Sequence, residues 1–286
     1  MIYLDYFKFA SWKTEEDFIF SQKRTCYDTY YPFKIYPQKG FERIDFSHIT
    51  ILYGGNGSGK STALNLIANI IDAKRETVYN RSNFFEEYLK KCSIEYEDTS
   101  YQNKAIITSD GVFDCMLDIR NLNQNIDYKR DELLDDYMQL KYKSFQLKSL
   151  NDLETLRRSN MAKTKTQSKF VRNSLVDNVR EYSNGESAFQ YFIQKIDQNG
   201  IYILDEPENS LSPHKQLELV KFLEDSARFF NCQLIISTHS PFILSMKGAK
   251  IYDLDATPVD IKPWTELYNV RKYFDFFMEH KEEFDY

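Results

Sequence analysis

His48-Ile-Thr-Ile-Leu-Tyr53 runs directly into Gly54-Gly55-Asn56-Gly57-Ser58-Gly59-Lys60-Ser61-Thr62, and Leu64, Ile67, Ala68 and Ile71 follow. The first six residues form a short apolar run rich in β-formers, which reads as a strand. The last four recur at i, i+3, i+4 and i+7, the spacing of one apolar helix face. Between them lies G-x-x-x-x-G-K-S, a glycine-rich turn joining a strand to a helix N-terminus. The 286-residue chain has nine glycines, and four of them fall between positions 54 and 59. Glycine lets the backbone curl tightly enough to turn successive N–H groups inward. Those amides and the positive end of the helix dipole make a cradle for phosphate oxygens from Asn56, Gly57, Ser58, Gly59, Lys60, Ser61 and Thr62. Lys60 is placed to reach the β- and γ-phosphates of a nucleotide, and the Ser61 hydroxyl to ligate Mg²⁺.

A second apolar run, Ile201-Tyr202-Ile203-Leu204, ends in Asp205-Glu206-Pro207. Ligands of open α/β sheets bind at the carboxyl ends of strands. Asp205 is therefore placed to hold Mg²⁺, directly or through water, and Glu206 to orient the attacking water or take its proton. Ser212-Pro213 opens a helix with Val220, Leu223, Ala227 and Phe230 on one face. A further strand, Gln233–Ser237, leads into Thr238-His239-Ser240-Pro241. His239 thus stands at the end of another strand, where it reads as a sensor of the γ-phosphate.

Ser183-Asn184-Gly185-Glu186 precedes Phe189, Phe192, Ile193 and Ile196, again at i, i+3, i+4 and i+7. By itself this tetrad is equally a helix cap with Ser or Asn capping. In sequence it lies between the glycine loop and the Asp205-Glu206 strand. The order glycine loop, Ser-Asn-Gly-Glu, Asp-Glu strand end, Thr-His-Ser-Pro resembles the ATP-binding-cassette class of ATPases. Within that class, Asp205–Pro213 and Ser237–Pro241 resemble the non-transporter branch of predicted AAA-family ATPases, related to the RecF and SMC heads. The nearest resemblance is to small stand-alone ATPases of that branch and covers most of residues 41–280.

The resemblance implies an α/β fold: a P-loop NTPase of ABC ATPase head type, with a mixed β-sheet core and a helical insertion subdomain. The whole chain, 1–286, reads as a single such domain, with residues 73–182 inserted. It further implies an enzyme that binds and hydrolyses Mg-ATP. Two copies pack head to tail around nucleotide, so that Ser183, Gly185 and Glu186 of one face the γ-phosphate held by Lys60 of the other. Residues 208–212 then cross between subunits. Two features of the family have no clear counterpart. The glutamine expected after the strand near 104–108 is replaced by Ser109-Asp110, with Gln102 before the strand and Gln124 well after it. No adenine-stacking aromatic is assigned: Tyr27, Tyr30, Tyr31 and Tyr36 read as core or turn residues beside Pro32 and Pro37.

Composition excludes several other classes. Charged residues make up 28% and hydrophobic residues 42%, the balance of a globular chain rather than a disordered one. The longest apolar runs fall well short of a transmembrane helix, and no signal-like segment opens the chain, so the expected setting is the cytoplasm, away from any membrane. The four cysteines are scattered without C-x-x-C, which argues against a zinc site or disulfide framework. Asp253-Leu254-Asp255 reads as an acidic strand end, because too little chain follows it for an appended nuclease domain.

Net charge is −6, yet residues 141–172 hold nine Lys or Arg against Asp152 and Glu154. Solvated helix faces account for such a stretch, as does a surface for a phosphate backbone or an acidic partner. Ile126, Leu133, Leu140 and Leu147 recur every seven residues, but Lys129, Asp136 and Lys143 interrupt the seam, so an amphipathic helix is expected rather than a coiled coil. Residues 159–172 read as a polar, basic loop that orders with nucleotide or a partner. Three outputs fit: an ATPase acting on DNA in repair or defence against foreign DNA, a regulatory module controlling a separate effector protein, or a transporter's nucleotide-binding subunit. The Ser-Asn-Gly-Glu signature and the absent glutamine speak against the third.

Overall fold

The computed structural model describes residues 1–22, 27, 29–142, 153–172, 175, 177–178, 184–209 and 211–284. They form two compact units, one of residues 1–113 and 184–286 and the other of residues 114–183. Residues 73–113, grouped with the insertion by the sequence reading, are part of the first unit. Two of its strands, β4 (Ser93–Tyr96) and β5 (Asn103–Thr108), lie in that stretch and pair with strands on either side of it in sequence.

The first unit is built on a six-stranded sheet. Its strands are β5, β6 (Gly200–Asp205), β7 (Gln233–Thr238), β3 (Ile49–Tyr53), β8 (Lys250–Asp253) and β9 (Asp260–Ile261), in that spatial order. All neighbours run parallel except β8 and β9. The apolar runs recognised in sequence are the central strands, covered on both faces, and residues 49–53 and 233–238 are buried throughout. Helix α2 (Lys60–Ile70) follows the glycine loop and buries Ala63, Leu64, Leu66, Ile67 and Ala68 in the core that also holds Leu52, Ile201, Ile203 and Ile235.

A three-stranded antiparallel sheet joins β2 (Arg43–Asp45), β1 (Leu4–Lys8) and β4. Gln233, fully buried, ties this sheet to the large one. Its Oε1 accepts from the Tyr3 and Leu4 amides at 3.0 and 2.8 Å, and its Nε2 donates to the Leu4 carbonyl at 2.9 Å and the Ser47 carbonyl at 3.2 Å. One buried side chain thereby satisfies three backbone groups at the start of β1, which would otherwise be orphaned.

The second unit takes in most of α4 (Ser109–Tyr142), together with α5 (Leu153–Thr164) and α6 (Gln167–Arg172). Ile126, Leu133 and Leu140 fall on one helix, as their spacing predicts; Leu147 lies outside the described residues. The loop expected over 159–172 is instead mainly helix. Its few apolar residues are well spaced for burial: Ala162, Phe170 and Val171 join Leu133 and Tyr137 in a small core, while Lys163, Lys169 and Arg172 are exposed. A sparse apolar face behind many charges is what hid these helices in the composition.

Candidate functional site

Parallel register brings the chemistry to one edge of the sheet. Tyr53 pairs with Thr238, and Asp205 with Ser237, so β3, β7 and β6 end level with one another. The glycine loop leaves β3, Asp205 and Glu206 close β6, and His239 follows β7. The glycine loop lies more than 140 residues before Asp205 in sequence and His239 lies 33 residues after Glu206, yet all three segments converge at the carboxyl edge, where ligands of such sheets bind.

In the loop, Gly59 has φ 102° and a Cβ there would stand 2.9 Å from Ile35 Cγ2, so neither conformation nor space admits a side chain. Lys60 is almost fully buried. Its ammonium donates to the Gly54 and Gly55 carbonyls at 2.7 and 3.1 Å and lies 3.6 Å from Glu206 Oε1. Phosphate binding must exchange these partners for phosphate oxygens. Ser58 is buried, its hydroxyl without a hydrogen-bond partner among the described residues, and Asn56 and Gly57 are exposed at the tip.

Ser61 Oγ donates to Asp205 Oδ1 at 3.0 Å, and the Ser237 hydroxyl donates to the same oxygen. Burial pushes the Asp205 carboxyl above its ordinary value, against the opposing pull of those two hydroxyls. A hydroxyl and a carboxylate side by side are hard oxygen donors, and Mg²⁺ typically takes one or two such groups, completing its shell with waters and substrate phosphates. Ser61 and Asp205 therefore fit the ion that the motifs imply.

Glu206 adopts φ 49°, left-handed backbone that costs a non-glycine residue about 1–2 kcal/mol. The conformation is held by its amide, which donates to the Ser237 carbonyl at 3.0 Å, and its carboxylate accepts from Asn209 Nδ2 at 3.2 Å. His239 Nδ1 lies 3.7 Å from Glu206 Oε1. Lys60, Glu206 and His239 thus face one point from three elements.

Several residues contribute through contacts that the sequence does not assign to them. Ser237 donates to the Asp205 carboxylate and accepts the Glu206 amide on both its hydroxyl and its carbonyl. Glu208, 7% exposed, accepts on one oxygen from Thr238 Oγ1 at 2.6 Å and from the His239 and Ser240 amides at 2.9 and 3.2 Å, so it fixes the turn that presents His239. Tyr31 donates to Thr62 Oγ1 at 3.1 Å, whereas Tyr27 and Tyr30 meet Phe84 and Tyr36 stacks on Phe9, the core roles expected of them. None of these three contributors belongs to a spacing pattern; only the fold brings them to the site.

The remaining expected residues lie elsewhere. Ser183 lies outside the described residues. Gly185 and Glu186 are in the first turn of α7 (Asn184–Lys195), a different element from the three strand ends. Gln102 precedes β5, at the opposite edge of the sheet, and Gln124 is in the second unit. Asp110 is exposed two residues beyond Thr108, which pairs with Asp205. No described helix is long and apolar enough to cross a membrane.

Residues 116–245 match the protein family described as AAA domain, putative AbiEii toxin, Type IV TA system. That stretch includes Asp205, Glu206 and His239 and leaves out the glycine loop. A search of curated protein sequences finds no match to the chain. Among solved structures, the chain is similar to an inward-facing conformation of a putative metal-chelate type ABC transporter, at 18% identity over 80% of this chain and 78% of that one, with a TM-score of 0.37. It is similar to the SMC head domain from Thermotoga maritima at 12% identity, over 91% and 98% of the two chains, with a TM-score of 0.38. A third likeness is to the Pyrococcus furiosus Smc head domain with an extended coiled coil, bound to the C-terminal domain of ScpA; identity is 13%, coverage 98% and 100%, and the TM-score 0.41. The parallel sheet with the glycine loop and the acidic strand end at its carboxyl edge has the arrangement of a P-loop NTPase fold.

Proposed function

We propose that this protein binds and hydrolyses Mg-ATP as an ABC-type ATPase, forms a nucleotide-sandwich dimer, and acts on DNA, in repair or in defence against foreign DNA. The observation that carries the catalytic reading is the convergence of Lys60, Ser61, Asp205, Glu206 and His239 at the level ends of β3, β6 and β7. The loop amides and Lys60 bind the phosphates. Ser61 and Asp205 would hold Mg²⁺, which when bound neutralises phosphate charge. Glu206, kept beside Lys60 and His239 by its strained backbone, accepts the proton of the attacking water. His239 reports the γ-phosphate, and Ser183, Gly185 and Glu186 of a second copy close the site.

DNA as the output partner is supported by the basic helices of the second unit. Lys163, Lys169 and Arg172 are exposed there, whereas Arg158 pairs with Asp136 at 2.8 Å. A second reading, a regulatory module that controls a separate effector protein, is favoured by α10 (Tyr268–Glu279), whose Tyr273, Phe274, Phe276, Phe277 and Met278 are each about half exposed. Exposed aromatics gathered on one helix suit a protein partner.

One experiment separates the two. The Glu206→Gln protein with Mg-ATP is titrated with duplex DNA at rising salt, and the same preparation is inspected for co-purifying protein. Binding that weakens steeply with salt supports the DNA reading. A stoichiometric partner without DNA affinity supports the effector reading and contradicts the first.

A further inference from the structure

Asp253-Leu254-Asp255 is more than an acidic strand end. β8 stops at Asp253, and Asp255 lies beyond it, where its Oδ2 accepts the Gly55 N–H at 2.8 Å. Its other oxygen is close enough to Gly54 that a Cβ added there would meet it at 3.2 Å. Lys39, which precedes β2, holds the loop at a second point. Its ammonium donates to the Ser58 carbonyl at 2.8 Å and to the Leu254 carbonyl at 2.7 Å. The glycine loop is therefore gripped at residue 55 by one side chain and at residue 58 by another.

The grip is itself anchored. The Lys39 carbonyl accepts from the Val259 amide at 3.0 Å, and the Leu254 amide donates to the Tyr53 carbonyl at 2.8 Å. The Asp255 amide donates to Asp253 Oδ1 at 3.1 Å, and Asp253 Oδ2 pairs with Lys262 at 2.7 Å. Tyr36 adds a third hold, its hydroxyl donating to the Gly59 carbonyl at 3.0 Å. Residues 36–39 and 253–259 thus bracket the loop from two distant parts of the chain.

Glycine loses more conformational freedom on becoming ordered than any other residue, so a loop with four of them is costly to order. Freedom lost before the ligand arrives is not charged against binding. A carboxylate beside a triphosphate site is electrostatically adverse, so its presence calls for a compensating role, which the Gly55 hydrogen bond supplies; the Lys39 cation is of the sign that offsets the charge.

We propose that Asp255 and Lys39 are positioning residues that hold the glycine loop in its phosphate-receiving shape before nucleotide arrives. The proposal rests on the nucleotide-binding reading, and its test separates the two. Wild type, Lys60→Ala, Asp255→Ala, Asp255→Asn and Lys39→Met are titrated with a fluorescent ADP analogue, and each is melted without nucleotide. Asp255→Ala is expected to bind about tenfold more weakly, the scale of one charge-assisted hydrogen bond. Asp255→Asn keeps an oxygen that accepts the Gly55 N–H, and its affinity stays within about twofold of wild type. Lys39→Met weakens binding in the same direction as Asp255→Ala. The nucleotide-free melting temperature of Asp255→Ala stays within about 2 °C of wild type, since the bond lies on an exposed loop. In hydrolysis, KM rises by a larger factor than kcat falls. Equal affinity of Asp255→Ala and wild type, with Lys60→Ala inactive, overturns the positioning role and leaves nucleotide binding intact; so does an Asp255→Asn loss as large as that of Asp255→Ala. A wild type that binds no nucleotide overturns both readings.

Discussion

The first unit places its chemistry by sheet register, whereas the second presents little besides charge. In the first, three parallel strands ending level bring five functional side chains together, and deeply buried residues such as Lys60 and Glu208 have assigned partners. In the second, a core of Leu133, Tyr137, Ala162, Phe170 and Val171 supports helices whose ion pairs, Lys129–Glu132, Arg130–Asp127 and Arg158–Asp136, are solvent-exposed. Exposed pairs of that kind are each worth about 0–1 kcal/mol. Chemistry is thus concentrated where backbone geometry is over-determined, and the helical unit is free to vary its surface.

Substitutions can break that contrast, starting with the largest effect. Lys60→Ala removes the only loop side chain expected to reach the phosphates and should abolish nucleotide binding, measured by titration calorimetry, while leaving the fold's circular dichroism unchanged. Phe170→Ala empties the centre of the small helical core, where the ring is 2% exposed and lies 5.5 Å from Tyr137. It should cost the second unit about 3–5 kcal/mol in a denaturant melt and leave ADP affinity near wild type, because β3, β6 and β7 all belong to the first unit. Coupled loss of both would show that the two regions are not energetically separate. Gln233→Leu keeps the volume but strands the Tyr3 and Leu4 amides; a loss of about 2–4 kcal/mol is expected in the first unit's unfolding transition. No change would mean that β1 does not depend on this tie.

Strands β3, β5, β6 and β7 and helices α2 and α7 were legible because buried parallel strands read as unbroken apolar runs, amphipathic helices keep their spacing and glycine is concentrated at one turn; the antiparallel sheet of β2, β1 and β4 was not. Lys60, Ser61, Asp205, Glu206 and His239 followed from their places at strand ends. The contacts of Ser237, Glu208, Tyr31, Lys39 and Asp255 did not, since each acts through a pairing that the fold makes across the chain: Asp255 meets Gly55 200 residues away, and Lys39 meets Leu254. No period or motif encodes such a pairing. The helices over 159–172 were missed for a different reason. Their buried face amounts to Ser159, Ala162, Phe170 and Val171, too few apolar residues to stand out among lysines and threonines.

The most direct test of the central claim is the mass of Glu206→Gln in solution, measured by size-exclusion chromatography with light scattering, with Mg-ATP and separately with Mg-ADP. With hydrolysis blocked and binding intact, the account predicts a dimer in ATP and a monomer in ADP. A monomer in both, under conditions where ATP binding is demonstrated, would contradict the nucleotide-sandwich dimer.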